Sequence, residues 1–339
     1  MNREKKGERK IRVVIMMVMV MGCSSGVKDP EKVFLSEMVN LGKGFLDVFV
    51  SFGDMITGTL GIKAETKKED IGKYFSDIEK TMQTTKVKLN EILEKNGQYE
   101  KVRKVVEEFV TGTVDKIAAG AKEASNGATG DYKIGGATQA GQNANAADRV
   151  AVNSLIKGIK EIVGVVLKDN EGNAGATKTG DTEKKSAGKL LGGQDKGEEA
   201  IAAAASATIG AVSGADILKA ISVSGETSGE PTIQAAKNAA GIAAAKKDND
   251  KTLDAAKEDA VIAAGIALRG MAKDGKFAAK NSEEKSANAV NGAVASVVSK
   301  VLSTLIIGIR NTVDEGLKEI NKVLGEIKQG EGSVAKINE

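Results

Sequence analysis

The side chains that could do chemistry fall into a few groups. Cys23 is the only cysteine, so it makes no internal disulfide, and with no histidine in the chain it has no imidazole base to activate it. Lys184, Lys185, Lys189 and Lys196 form one basic cluster, and Lys246, Lys247 and Lys251 another. Lysines so grouped could contact a sulfated glycan. Asp181, Glu183, Asp195, Asp248 and Asp250 are interspersed with them, cancel much of their field, and favour ordinary solvated loops. GNAGATKT, Gly172 to Thr179, misses the phosphate-binding pattern G-x-x-x-x-G-K-[ST] by one residue, because Thr177 stands where the second glycine belongs. The IVGVVL before it fits a helical stripe better than a strand, so the stretch reads as a Gly-rich loop. The carboxylate pairs Glu107-Glu108 and Glu198-Glu199 fall on a helix surface or at a helix start, where acids suit the helix dipole.

Composition excludes several reaction classes. Without histidine there is no Ser-His-Asp triad, and one cysteine cannot build a Cys/His zinc site. A general base near neutral pH would have to be a perturbed carboxylate or lysine. No catalytic residue, metal ligand or cofactor is assigned, and the chain is not expected to be an enzyme.

The lone cysteine is explained by what precedes it. Residues 1–12 carry six basic and two acidic side chains, and Val13 to Met21 is unbroken hydrophobe. That order describes an export signal, and nine apolar residues are too few to span a bilayer, which needs about 20. Val20-Met21-Gly22-Cys23 resembles a bacterial lipobox, which implies cleavage between Gly22 and Cys23 and a lipid on the new N-terminal Cys23: a diacylglyceryl group on sulfur and an acyl chain on the amine. More than one chain anchors stably where a single chain is marginal. Removing residues 1–22 changes the charge from +3 to −1, which leaves no general attraction for nucleic acid.

Helices must position the rest. Residues 24–30 form a short tether ending at Pro30. Apolar stripes predict helices over 31–60 (Phe34, Leu41, Phe45, Val48, Phe52, Ile56, Leu60), 68–95, 99–124, 148–168, 200–221, 232–246, 250–272 and 290–327. Gly-rich polar loops are predicted at 125–147, 169–199, 222–231 and around Asp274 to Lys285. Eight of the ten aromatics lie between Phe34 and Phe109, so the bulky core belongs to the N-terminal part and the Ala/Gly-rich middle suits close helix packing. Gly292, Gly308, Gly316 and Gly325 in the last helix make sense where another helix comes close. No mature segment has 18 continuous apolar residues, so no transmembrane helix is expected. The expected fold is mainly all-α: an elongated helical bundle with long terminal helices, Gly/Ala-rich loops at the distal end, and at most a few very short strands. Its parts are signal peptide 1–22, tether 23–30, N-terminal helical core 31–124, variable-type region 125–289 and returning helix 290–339.

The lipobox, the tether, IALRGMAKDGKFA (Ile266 to Ala278) and the ending VDEGLKEINKVLGEI together resemble the variable large proteins of relapsing-fever Borrelia, related to the recombining variable surface lipoprotein of Lyme spirochaetes. The resemblance spans essentially the whole chain. It implies a lipoprotein on the surface of the outer membrane, held there through Cys23, whose role is antigenic variation and immune evasion. LRGMAKDGKFA would be an invariant stretch between variable ones, and the two termini would lie together near the membrane. Expected partners are the membrane, host antibodies and further copies of the chain on the same surface. The alternative is an adhesin gripping a host glycosaminoglycan or receptor through Lys184, Lys185, Lys189, Lys246 and Lys247.

Overall fold

Ile71, Phe75, Ile78, Met82 and Leu89 recur at helical spacing and lie on the buried side of the first complete helix, α1 (Lys68–Lys95). The computed structural model describes residues 61–326 apart from 96, 97, 139 and 250, with isolated positions between 36 and 47. The signal peptide, Gly22, Cys23, the tether, the 31–60 stripe and the end of the chain beyond 326 lie outside the described residues or, at isolated positions, give no helix bounds.

The helices that follow are α2 (Glu100–Phe109), α3 (Asp115–Gly127), α4 (Arg149–Val166), α5 (Asp181–Ser186), α6 (Glu199–Ala211), α7 (Gly214–Ser222), α8 (Ala239–Ala244), α9 (Asp259–Met271) and α10 (Glu284–Glu326). The fold is all-α: the only strand-like pairings among the described residues are isolated bridges, Lys67 to Lys133, Gln142 to Ala279 and Asn145 to Lys276. These belong to the compact unit Leu41–Ile327.

Several helices differ from their sequence patterns for local reasons. The stretch read as one helix over 99–124 is interrupted by a π-helical turn, Val110–Val114, in VTGTV, where β-branched residues and a glycine weaken the α-ladder. The 200–221 helix is two, α6 and α7, bent by 93°. Ser213 starts the second with a reciprocal capping box, accepting from the Asp216 N–H while the Asp216 carboxylate accepts from the Ser213 N–H. The 232–246 segment is helical only over α8, where Asn238 caps the Gly241 N–H at 2.8 Å. The 250–272 segment becomes helical only at Asp259. The loop 169–199 contains α5 and a 3-10 turn, Ala187–Leu191.

α10 has 43 residues and packs on α2, α4, α6, α7 and α9. By length and composition it could cross a membrane, yet half of its most apolar window is buried inside this protein, as for a core helix. Its glycines behave as expected in two cases: Gly308 lies against Val166 and Gly316 against the Phe109 ring, whereas Gly292 faces open space.

The tightest crossing joins α3 to α4. A Cβ on Gly120 would meet the Gly158 carbonyl at 2.7 Å, and one on Gly158 would strike the Gly120 carbonyl and Ala124. Gly158→Ala should therefore cost about 1–3 kcal/mol by overpacking. Gly164→Ala, on the same helix with nothing within 4 Å, should be neutral or stabilising by up to about 1 kcal/mol. Urea midpoints of the two variants check this.

Candidate functional site

Every residue of α9 except Val261 is buried, so the helix runs through the core with no solvent face. Its sequence, DAVIAAGIALRGM, carries charge only at Asp259 and Arg269, one at each end, in the order that suits the helix dipole. Small residues between them let neighbours close in: Gly265 lies against Ile242 of α8, and Gly270 against Val294 and Val298 of α10.

At the N-terminal end, the buried Asp259 carboxylate accepts from the backbone N–H groups of Lys178 at 2.5 Å and Thr179 at 2.8 Å, and from the hydroxyls of Thr177 and Thr179. The Ala260 N–H donates to the Ala176 carbonyl at 3.1 Å. The GNAGATKT loop thus wraps an anion after all, but the anion is a carboxylate of its own chain. The element before it is helix α4, not a strand.

At the C-terminal end, the Arg269 guanidinium has no carboxylate partner among the described residues and donates to carbonyls instead. Nε reaches Lys276 at 2.9 Å, and Nη1 reaches Ile242, Ala243 and Ala245 at 3.3, 3.1 and 3.0 Å, the open carbonyls at the end of α8. Nη2 is buried without a partner among the described residues, and the Phe277 ring centroid lies 5.9 Å from the guanidinium carbon. Burial lowers the Arg269 pKa to about 9, which leaves it charged at neutral pH. The next cap is Lys68, the first residue of α1. Its buried Nζ donates to the carbonyls of Arg269 at 3.0 Å and Gly270 at 2.6 Å. Burial, reinforced by the charges of Arg269 and Lys276 and opposed by Asp274, lowers its pKa to about 7. Lys300 repeats the device at α6, donating to Ile209 and Val212 at 2.8 and 2.9 Å. Three remote basic side chains therefore close the ends of three helices.

The lysines singled out by sequence fare unevenly. Lys184 is buried, paired with Asp181 at 3.2 Å and donating to Thr177, so it is not available to a glycan. Lys185 and Lys189 are half-buried, and Lys246 and Lys247 are exposed. The two clusters adjoin, since the Leu253 N–H donates to the Lys185 carbonyl at 3.2 Å. Asp195 pairs with Lys196 at 3.4 Å, and Asp248 remains beside Lys247. Glu198 pairs with Lys280 at 3.2 Å, and Glu107 and Glu108 lie exposed on α2. The last loop is less exposed than its polar sequence suggests: Phe277 and Ala278, which end LRGMAKDGKFA, are buried, and so is Ala279 after them. Sequence reading missed the roles of Asp259, Arg269 and Lys68. The available signal was one acid and one base bracketing nine consecutive uncharged residues.

The described site is a closed set of internal caps on a helical scaffold, and this defines a structural rather than a reactive centre. Residues 45–324 match the model of a family described as Borrelia lipoprotein. Variable large protein 4 of Borrelia hermsii is 55% identical over 97% of both chains, and variable large protein 17 of the same species is 53% identical over 97% of this chain and 96% of its own. The crystal structure of the Lyme disease variable surface antigen VlsE of Borrelia burgdorferi superposes with a TM-score of 0.75 at 34% identity, covering 86% of this chain and 98% of that one. The chain belongs to the Borrelia lipoproteins and, among them, to the variable large proteins. Of these relatives, VlsE is a variable surface antigen.

Asp259→Asn keeps the shape of the side chain but turns an N–H donor toward the loop N–H groups. It should lower stability by about 3 kcal/mol, read from the urea midpoint, and open the 173–180 loop to protease. With Lys184 occupied and acids beside the other lysines, the full chain should pass through immobilised heparin at physiological salt.

Proposed function

We propose that this protein is a lipid-anchored antigen of the outer surface, held through Cys23, whose exposed side chains are replaced under immune pressure while its scaffold is kept. Its near full-length likeness to variable large proteins supports that reading, and one structural observation supplies a mechanism. The loops dock mainly through backbone atoms. Gln142 and Ala279 exchange two main-chain bonds at 2.9 and 3.0 Å, and Asn145 and Lys276 another two at 3.1 and 3.0 Å. The N–H groups of Ala147, Asp148, Leu253 and Ala278 donate to the carbonyls of Ala243, Lys273, Lys185 and Leu190.

A backbone bond is indifferent to the side chain that carries it. Exposed positions such as Lys246 and Lys247 can change without removing what seats the loop, whereas the Asn143 and Asn145 side chains add bonds of their own to Gln194 and Asp274. The antibody-facing surface is thereby uncoupled from folding, while α9 and α10 keep the core. Many copies packed on the membrane would shield the shared parts.

Two measurements test this. In clonal descendants grown under antibody, the expressed gene should differ at exposed positions of 125–147, 169–199 and 222–231 and keep α9 and the buried face of α10. An unchanged gene that persists under that pressure would overturn the variation reading. Cys23→Ala should abolish palmitate labelling and release the protein from the membrane; retained label would overturn the anchor.

A further inference from the structure

We propose that Lys68 is an acid-released latch that ties the start of α1 to the end of α9 and to the LRGMAKDGKFA segment. The geometry is particular to an amine that can lose its proton. Lys68 Nζ is fully buried and has two acceptors, the carbonyls of Arg269 and Gly270. A neutral amine has two N–H donors and satisfies both. An ammonium has a third donor and a charge, and it places that charge in the core beside the Arg269 guanidinium.

The surroundings give little relief. From α9 the facing charge is Arg269, and from the following segment it is Lys276, with Asp274 alone in opposition. α3 and the strap after it set the carbonyls of Ser125 and Ala128 against Gly72, and α10 sets Val294 and Val298 against Gly270. Lys67, Glu69 and Asp70 on α1, and Asp131 and Lys133 on the strap, lie toward solvent, with Lys67 paired to Glu69 at 3.2 Å. The shift of Lys68 toward neutrality agrees with this arrangement.

The latch holds more than itself. The Lys68 N–H donates to the Tyr132 carbonyl, the Glu69 N–H to Gly130, and the Ile134 N–H to Thr66, so the strap and the start of α1 are one unit. Releasing Lys68 to water would loosen that unit and uncover the last turn of α9. Acid favours release because the free side chain takes up a proton that the closed form resists. For a closed value near 7 and an ordinary lysine value of 10.5, the opening equilibrium rises about tenfold from pH 8 to pH 6 and levels off below that.

Hydrogen exchange of the full chain, corrected for intrinsic rates, reads the opening at the amides of Lys68, Glu69 and Ile134. The expected result is about tenfold loss of protection from pH 8 to pH 6, a plateau below, and no such step in Lys68→Met. A wild type without the step, or a variant that keeps it, overturns the latch. If Lys68→Met does not fold, NMR of lysine labelled at 13Cε in the wild type decides: a Lys68 titration near 7 supports the latch, and one at or above 10 overturns it.

Discussion

Two charges buried at opposite ends of one helix, neither of them ion-paired among the described residues, are what the rest of the fold answers to. An isolated ion in the core is not tolerated, so Asp259 must be met by N–H groups and Arg269 by carbonyls. Those groups come from the 173–180 loop, from the end of α8 and from Lys276. Each of these segments is irregular or very short, and the 173–180 loop has no buried side chain of its own to seat it. The charges on α9 supply the missing attachment. The requirement is mutual: the ends of α8 and α9 have open carbonyls that need donors, and Arg269 and Lys68 bring them.

The same economy of backbone partners sets limits on how freely the surface can vary. Main-chain docking frees the exposed side chains, but it brings two backbones close together, and some positions then tolerate only glycine. Gly197 lies against the backbone of Ala278 and Ala279, and Gly188 against Thr252 and Leu253. Gly141 has a φ of +79° and faces Asn281 at 2.8 Å. A replaceable loop of this kind consists of fixed glycine contacts with variable side chains between them. Its variety therefore lies in side chains more than in loop path.

Long, strongly periodic helices were legible in the sequence. The stripes at 68–95 and 148–168 match α1 and α4 closely, because their buried residues are large and regularly spaced. The Ala-rich middle was harder to read. In 200–221, 232–246 and 250–272 alanine satisfies helix propensity at every position, so periodicity could not show where capping side chains end one helix and begin another. Ser213 and Asn238 hold that information for two of these helices, and α9 opens at Asp259, whose carboxylate is turned to the 173–180 loop. The lysine clusters were visible, but Lys184 as a buried partner of Thr177 was not, because its surroundings depend on a loop tied to a residue 81 positions from Lys178. The buried basic centre is non-local in the same way: Lys68 reaches a carbonyl 201 residues away.

The Ala-rich core also explains why buried charges are worth retaining. Leu- and Phe-rich helices find their register through the shapes of large side chains, as α1 does with Phe75, Met82 and Leu89. A helix of Ala and Gly is smooth, and packing alone distinguishes poorly between neighbouring registers. Moving α9 by one turn would leave many of its small-residue contacts nearly unchanged. It would also strand Asp259 and Arg269, at a cost of roughly 3–5 kcal/mol for each charge left without partners. Side-chain shape thus sets position in the aromatic N-terminal part of the described chain, and polar end-caps set it in the Ala/Gly part. A protein whose surface is exchanged while its fold is kept gains from that second arrangement. The caps sit inside the core, and their partners are mainly backbone atoms, with the Thr177 and Thr179 hydroxyls as the side-chain exceptions, so they depend little on the side chains presented outside.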